Sequence, residues 1–166
     1  MTHKDEEGNE VCCPRFDPSP WDEKIHHWDN KLFIKDSVPQ FLHIPLPMMY
    51  SKKVSKMWNM IQEAHADPEI KDFLLLAYDP SPWKSELYMS TTKEVPGAEN
   101  VRLSGTFLTK VFDGPYNAVP SWIPEMDEYV EKQGKKVKKY YLYYTTCPKC
   151  AKKYGHNYAV MFAEIE

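Results

Sequence analysis

The sequence predicts an α+β fold in which a β-α-β-β pattern runs through twice, giving an antiparallel sheet with two helices on one side. Three observations predict it. Two amphipathic helical stripes stand far apart in the chain. Each is followed by two strand-like runs. Each is preceded, at matching spacing, by an aromatic-aliphatic pair and a tyrosine.

Taken in order, residues 1–10 are polar and acidic and read as a frayed tail, with no apolar stretch to serve as a signal peptide. Residues 11–31 hold no sustained period. Phe16, Trp21 and Trp28 make them an arm that packs onto the domain, expected to span residues 32–166. The string DPSPW occurs at Asp17–Trp21 and again at Asp79–Trp83, and both copies read as turns anchored by a tryptophan. The first repeat opens at Phe41 and Leu42, passes Tyr50, and continues as Val54, Met57, Trp58, Ile61 and Ala64. That spacing is one buried face of a helix. The second opens at Phe107 and Leu108, passes Tyr116, and continues as Val119, Trp122, Ile123, Met126 and Tyr129. Ser121 is the expected N-cap, Pro124 falls in the first turn, and Gly134 is the stop. Residues 73–78, 86–92, 137–145 and 158–165 are aromatic and β-branched, and read as the strands that follow each helix.

The composition bounds the function. A chain of 166 residues, 42% hydrophobic and 27% charged, can bury one ordinary core. A net charge of −3 gives no global attraction to nucleic acid or an anionic membrane. No run approaches the roughly 18 apolar residues of a membrane span, so a cytoplasmic protein without a membrane partner is expected. Nothing points to an oligomeric state. The 11 Tyr and 5 Trp suit a wet binding cleft as well as a core.

The pattern resembles the GyrI-like small-molecule-binding domain. The residues that carry the likeness are Phe112, Asp113, Gly114, Pro115 and Tyr116 before the second helix, and Phe162, Ala163, Glu164 and Ile165 near the end. The resemblance covers roughly residues 32–166. It implies a duplicated β-α-β-β (SHS2-type) fold with a ligand groove on its pseudo-twofold axis and a groove-facing carboxylate on the last strand. Relatives of that kind include multidrug-binding regulator domains and stand-alone hydrolases that open cyclopropane-bearing genotoxins. Nothing before residue 32 reads as a helix-turn-helix, which favours the stand-alone branch.

Three constellations could carry chemistry. The first is an aromatic-carboxylate cleft. Tyr158, Val160, Phe162 and Glu164 share one strand face, and so do Glu86 and Tyr88. Tyr116, Trp122, Glu125 and Tyr143 complete the set. A carboxylate among aromatic rings is desolvated and becomes a stronger base, able to steer water onto an electrophilic carbon. Glu164 is the expected base, with Tyr88, Trp122 and Tyr143 positioning a flat hydrophobic ligand. The opposing reading makes Trp122 core and Glu125 solvated. The second constellation is Cys12, Cys13, Cys147 and Cys150, a candidate structural zinc site, with His156 as a substitute ligand; otherwise these are thiols in a turn. A redox role for the C-x-x-C is not favoured, because no helix N-terminus is expected there. The third is a lysine run from Lys132 to Lys153, readable as an RNA surface or, preferably, as a solvated helix end.

The leading expectation is a stand-alone protein that binds, and hydrolyses, planar or electrophilic small molecules as a detoxifying hydrolase, with no cofactor required. A non-catalytic binder and a zinc-stabilised protein- or RNA-interaction module are the alternatives.

Overall fold

A computed structural model describes residues 3–4, 10–11, 13, 15–42, 44–146 and 148–166. The elements run β1 (His3–Lys4), β2 (Glu10–Val11), β3 (Lys24–Phe41), β4 (Ile44–Pro45), α1 (Pro47–Glu63), β5 (Leu75–Ser81) and β6 (Lys84–Ser90). They continue with β7 (Glu99–Asp113), α2 (Val119–Lys132), β8 (Val137–Tyr144), α3 (Pro148–Tyr154) and β9 (Tyr158–Ile165). The class is α+β, with antiparallel pairing in β3/β6, β5/β6, β7/β9 and β8/β9. The chain divides into two compact units: residues 28–104, here the α1 unit, and residues 1–27 with 105–166, the α2 unit.

In the α1 unit the strand order is β4-β3-β6-β5. Helix α1 opens with a proline in its first turn, where the missing N–H costs nothing. Its stripe packs as predicted. Met57 and Ile61 are fully buried against Ile34, Val38, Leu87 and Met89, with Val54, Trp58 and Ala64 at the margin. Each fully buried aliphatic side chain contributes about 1.5–3 kcal/mol. The second DPSPW copy, expected as a turn throughout, ends β5 with Asp79–Ser81 and turns only at Pro82 and Trp83. There Trp83 remains 55% exposed and meets Phe41 edge to face.

In the α2 unit the strand order is β8-β9-β7. Trp122, Met126 and Val130 of α2 are buried against Leu108, Phe112, Met161 and Ile165. The predicted stripe differs at one point: Ile123 is 39% exposed, and Val130 takes the inner position. Three details of α2 correct or sharpen the expectations. Ala118, not Ser121, is the N-cap residue, because Pro120 occupies the first turn and starts the helix earlier. The Ser121 hydroxyl donates instead to the Ala118 carbonyl (2.6 Å). Pro124 therefore lies inside the helix, on its exposed side. Gly134 does follow the helix end, at φ +71°, where a side chain would be strained.

The two units share the order strand-helix-strand-strand, with β4 added before α1 in one and α3 added between β8 and β9 in the other. The spacing that pairs Phe41 with Phe107 is not repeated in the structure. Phe41 is an exposed strand end, whereas Phe107 is 1% exposed in mid-strand.

Candidate functional site

Residues directly opposite in antiparallel strands project to the same side. In the α2 unit the register therefore sets Phe107, Glu164 and Lys139 in one row, then Thr109, Phe162 and Tyr141, then Val111, Val160 and Tyr143. The alternating residues Leu108, Met161 and Ala163 pack against α2. The rows thus form the face turned away from the helix. Glu164, part-exposed, sits at the end of that face. Its carboxylate makes no hydrogen bond or ion pair among the described residues. Gly105 lies beside it. A Cβ there would stand 3.5 Å from Glu164 Oε1 and 3.7 Å from the Phe107 ring, and the φ of +145° is one that L side chains rarely adopt. The Lys139 ammonium, though in register with Glu164, lies 5.2 Å from the centre of the Tyr141 ring. Tyr141 is buried and meets Phe107 at 6.3 Å.

The N-terminal arm covers part of this face through Phe16 and Trp21. Trp21 packs on Phe162 (5.6 Å), and Phe16 contacts Tyr143 (6.4 Å) and Tyr158 (5.8 Å). Backbone contacts fix the arm: the Thr109 hydroxyl donates to the Trp21 carbonyl (2.6 Å), and the Val111 N–H donates to Asp22 Oδ1 (3.1 Å). His26 stacks on Trp21 at 4.8 Å, and its Nε2 is buried without a hydrogen-bond partner among the described residues. Burial, aided by the charge of His27, holds the His26 pKa below its ordinary value. Burial, with the Cys13 thiol nearby, raises the Tyr143 phenol.

Several predicted site residues lie elsewhere. Trp122 is a core residue of the opposite face, stacked on Phe112 at 5.2 Å, as its helical stripe requires. Glu125 points to solvent from α2. Glu86 and Tyr88 belong to the α1 unit, where the Tyr88 hydroxyl donates to Glu86 (2.8 Å) and Lys35 pairs with the same oxygen (3.2 Å). The Phe-Asp-Gly-Pro-Tyr string proves to be a structural knot. Gly114 leaves space for the Trp122 ring, 3.4 Å from where a Cβ would be. Asp113 accepts from the Asn157 N–H and pairs with His156, both at 2.8 Å. Burial pushes the Asp113 carboxyl up, but these partners outweigh it and hold its pKa below the usual value. His156 is thereby engaged by Asp113. The side chain of Tyr116 lies outside the described atoms.

Sequence reasoning missed Phe107, Gly105, Lys139 and Tyr141. The last two were within reach, since counting back by two from Tyr143 reaches both. Two shallow depressions of the α1 unit, one along Ser51, Ser55 and Asn59 and one beside Glu69, Asp72 and Thr91, hold no predicted residue.

The C-x-x-C segment is not a turn. Cys150 lies in α3, which begins at Pro148; Cys12 and Cys147 lie outside the described residues. Among the described residues no three His, Cys, Asp or Glu side chains gather as metal ligands. The lysine run behaves as a helix end where it leaves α2, with Lys132 paired to Glu128 at 2.8 Å. No helix among the described residues is long and apolar enough to cross a membrane.

Comparison with known proteins places this geometry. The fold is similar to that of a hydrolase from Listeria innocua (TM-score 0.64, 12% identity, 86% of this chain and 91% of that one). It is equally similar to an uncharacterized conserved protein from Listeria innocua (0.64, 11%, 86% and 91%). It is also similar to the C-terminal domain of EcmrR (0.63, 12%, 86% and 96%). A longer EcmrR chain, 56% of which is covered, has been seen in a complex with DNA. At these identities the likeness is one of fold. No curated protein matches the sequence. The family model described as "Bacterial hydrolase" matches residues 3–165. With that match over nearly the whole chain, the protein belongs to the bacterial hydrolase family and has the fold of GyrI-like small-molecule-binding proteins.

Proposed function

We propose that this protein binds flat hydrophobic small molecules on the helix-free face of the α2 unit and hydrolyses an electrophilic one there. One observation carries the reading. Glu164 is a carboxylate without a hydrogen bond or ion pair among the described residues, held beside the aromatic ring of Phe107 and in a row next to Phe162 and Tyr141. A carboxylate that is not consumed by structure can take a proton from water and direct the oxygen at carbon. The buried rings of Phe107, Phe162 and Tyr141 supply an apolar wall beside it. Trp21 rests on Phe162, so a planar ligand would displace or extend that stack. Membership in a hydrolase family agrees with the chemistry. The common element order of the two units is read as a duplication, and the role as detoxification in the cytoplasm. A nucleic-acid partner is not proposed, since the chain's net charge is −3 and Lys132, at the start of the lysine run, is paired to Glu128.

The test is Glu164→Gln assayed with a cyclopropane-bearing electrophile. Turnover should fall by about 10²–10⁴-fold, the range for loss of a general base, while ligand affinity survives. Unchanged turnover would remove Glu164 from the mechanism. Tight binding with no product by mass spectrometry, in wild type as well as variant, would select sequestration instead.

A further inference from the structure

Building on the reading of the helix-free face as a ligand site, we propose that His26 is its second polar contact, with Nε2 hydrogen-bonded to a polar group on one edge of the flat ligand while Glu164 serves the other end. Alternation places the ring. His27 Nδ1 and Thr106 Oγ1 are 3.1 Å apart. Thr106 stands opposite Ile165, which packs against α2. His27 is therefore on the helix side of the sheet, and His26, next along β3, projects to the helix-free side. Its contacts agree. The His26 ring stacks on Trp21 at 4.8 Å, and Trp21 packs on Phe162 of that face. β3 pairs with β7, and β7 with β9. At one strand spacing each, the strands that carry His26 and Glu164 stand about 10 Å apart.

The imidazole holds an unused hydrogen-bonding atom. Nε2 sits at the tip of the side chain, away from the backbone. It is buried, and no group among the described residues bonds to it. Nearly all buried polar atoms have a partner, and one that lacks it calls for a cause. Trp21 lies nearly parallel to the ring, at 28°, so it covers a flat side and leaves the edge to another group. Burial, then the charge of His27, lowers the pKa and keeps the ring neutral at pH 7. One ring nitrogen then carries a hydrogen and the other a lone pair. A hydroxyl both donates and accepts, so it satisfies Nε2 in either tautomer. The ligand class follows: a flat aromatic molecule with a hydroxyl or similar polar group on one edge and its electrophilic carbon toward the other. A bare hydrocarbon would meet the same apolar wall but leave Nε2 unpaired, at a cost in affinity.

The full chain is titrated with naphthalene and with 2-naphthol, which differ by one hydroxyl, and binding is followed by protein NMR. The wild type should bind 2-naphthol about 2- to 10-fold more tightly, the worth of one net hydrogen bond. His26→Phe keeps a flat ring against Trp21 and should abolish that preference while naphthalene affinity holds. Glu164→Gln should leave the preference in place. Long-range ¹H–¹⁵N spectra of the wild type should show the His26 Nε2 resonance moving with 2-naphthol and not with naphthalene, which decides the matter if His26→Phe does not fold. A preference that survives His26→Phe, or that disappears in Glu164→Gln instead, overturns the assignment. So does an Nε2 resonance that stays fixed while both probes bind, and in these cases the face remains a ligand site. If neither probe binds, the reading of the face falls and His26 falls with it.

Discussion

The two units carry their strand carboxylates in opposite states. In the α1 unit, Glu86 receives the Tyr88 hydroxyl and the Lys35 ammonium, so its charge is satisfied by its own neighbours. In the α2 unit, Glu164 has a lysine in register, but that lysine lies over Tyr141 and the carboxylate has no partner among the described residues. The same order of strands and helix therefore yields one carboxylate spent on structure and one without a partner among the described residues. Topology alone does not tell them apart; the partners of each oxygen do.

Exchanging each carboxylate for its amide gives the sharpest break. Glu164→Gln should remove about 10²–10⁴-fold of turnover. Glu86→Gln should leave turnover in place and lower unfolding free energy by about 1 kcal/mol through its weakened hydrogen bond and ion pair, read by denaturant titration. Equal losses of turnover would mean the two carboxylates work together and would end the contrast. Next in size, Trp122→Ala should cost about 3–5 kcal/mol of stability while ligand affinity per folded molecule holds, because the ring is core and faces away from Glu164. A selective loss of affinity would return Trp122 to the site. Gly105→Ala should cost about 1–3 kcal/mol, since it forces a side chain into a strained φ beside Glu164, and thermal unfolding will report it.

The smallest effect is acid loosening of the arm. His26 has a folded-state pKa below its unfolded value of about 6.5, so the unfolded chain takes the proton first. Its contribution is complete above that unfolded value and is lost as pH falls through the lower folded one. His26→Gln should flatten this acid limb of the Tm profile, and Trp21 emission should follow the same curve in the wild type. A profile unchanged by the substitution would assign the acid limb to other groups.

The helices were legible because a stripe every three to four residues has one physical cause, a single buried side; Met57, Ile61, Trp122 and Met126 fell where spacing put them. Gly134 was legible because few residues other than glycine end a helix at positive φ. The site was legible only in part. Glu164 and Phe162 share a strand, so alternation sets them on one face. Glu86, Tyr88 and Glu125 depended on which unit and which face each element presents, and no local pattern contains that. Trp122 carried both a core signal and an aromatic signal, and the helical stripe outweighed the other. The two DPSPW strings show the same limit: one tryptophan packs on Phe162 and the other stays at the surface, because what surrounds a turn is decided elsewhere in the chain.

The division of the chain also sets an order of assembly. Residues 28–104 form a continuous unit, whereas the α2 unit is built from residues 1–27 and 105–166. During synthesis the arm leaves the ribosome before β7 and β9, the strands that Trp21 and Asp22 contact. Until then Phe16 and Trp21 are exposed on a tethered, unfinished chain, the state in which apolar segments aggregate. Pro18 and Pro20 limit the arm's pairing on its own to the short β1–β2 ladder during that wait.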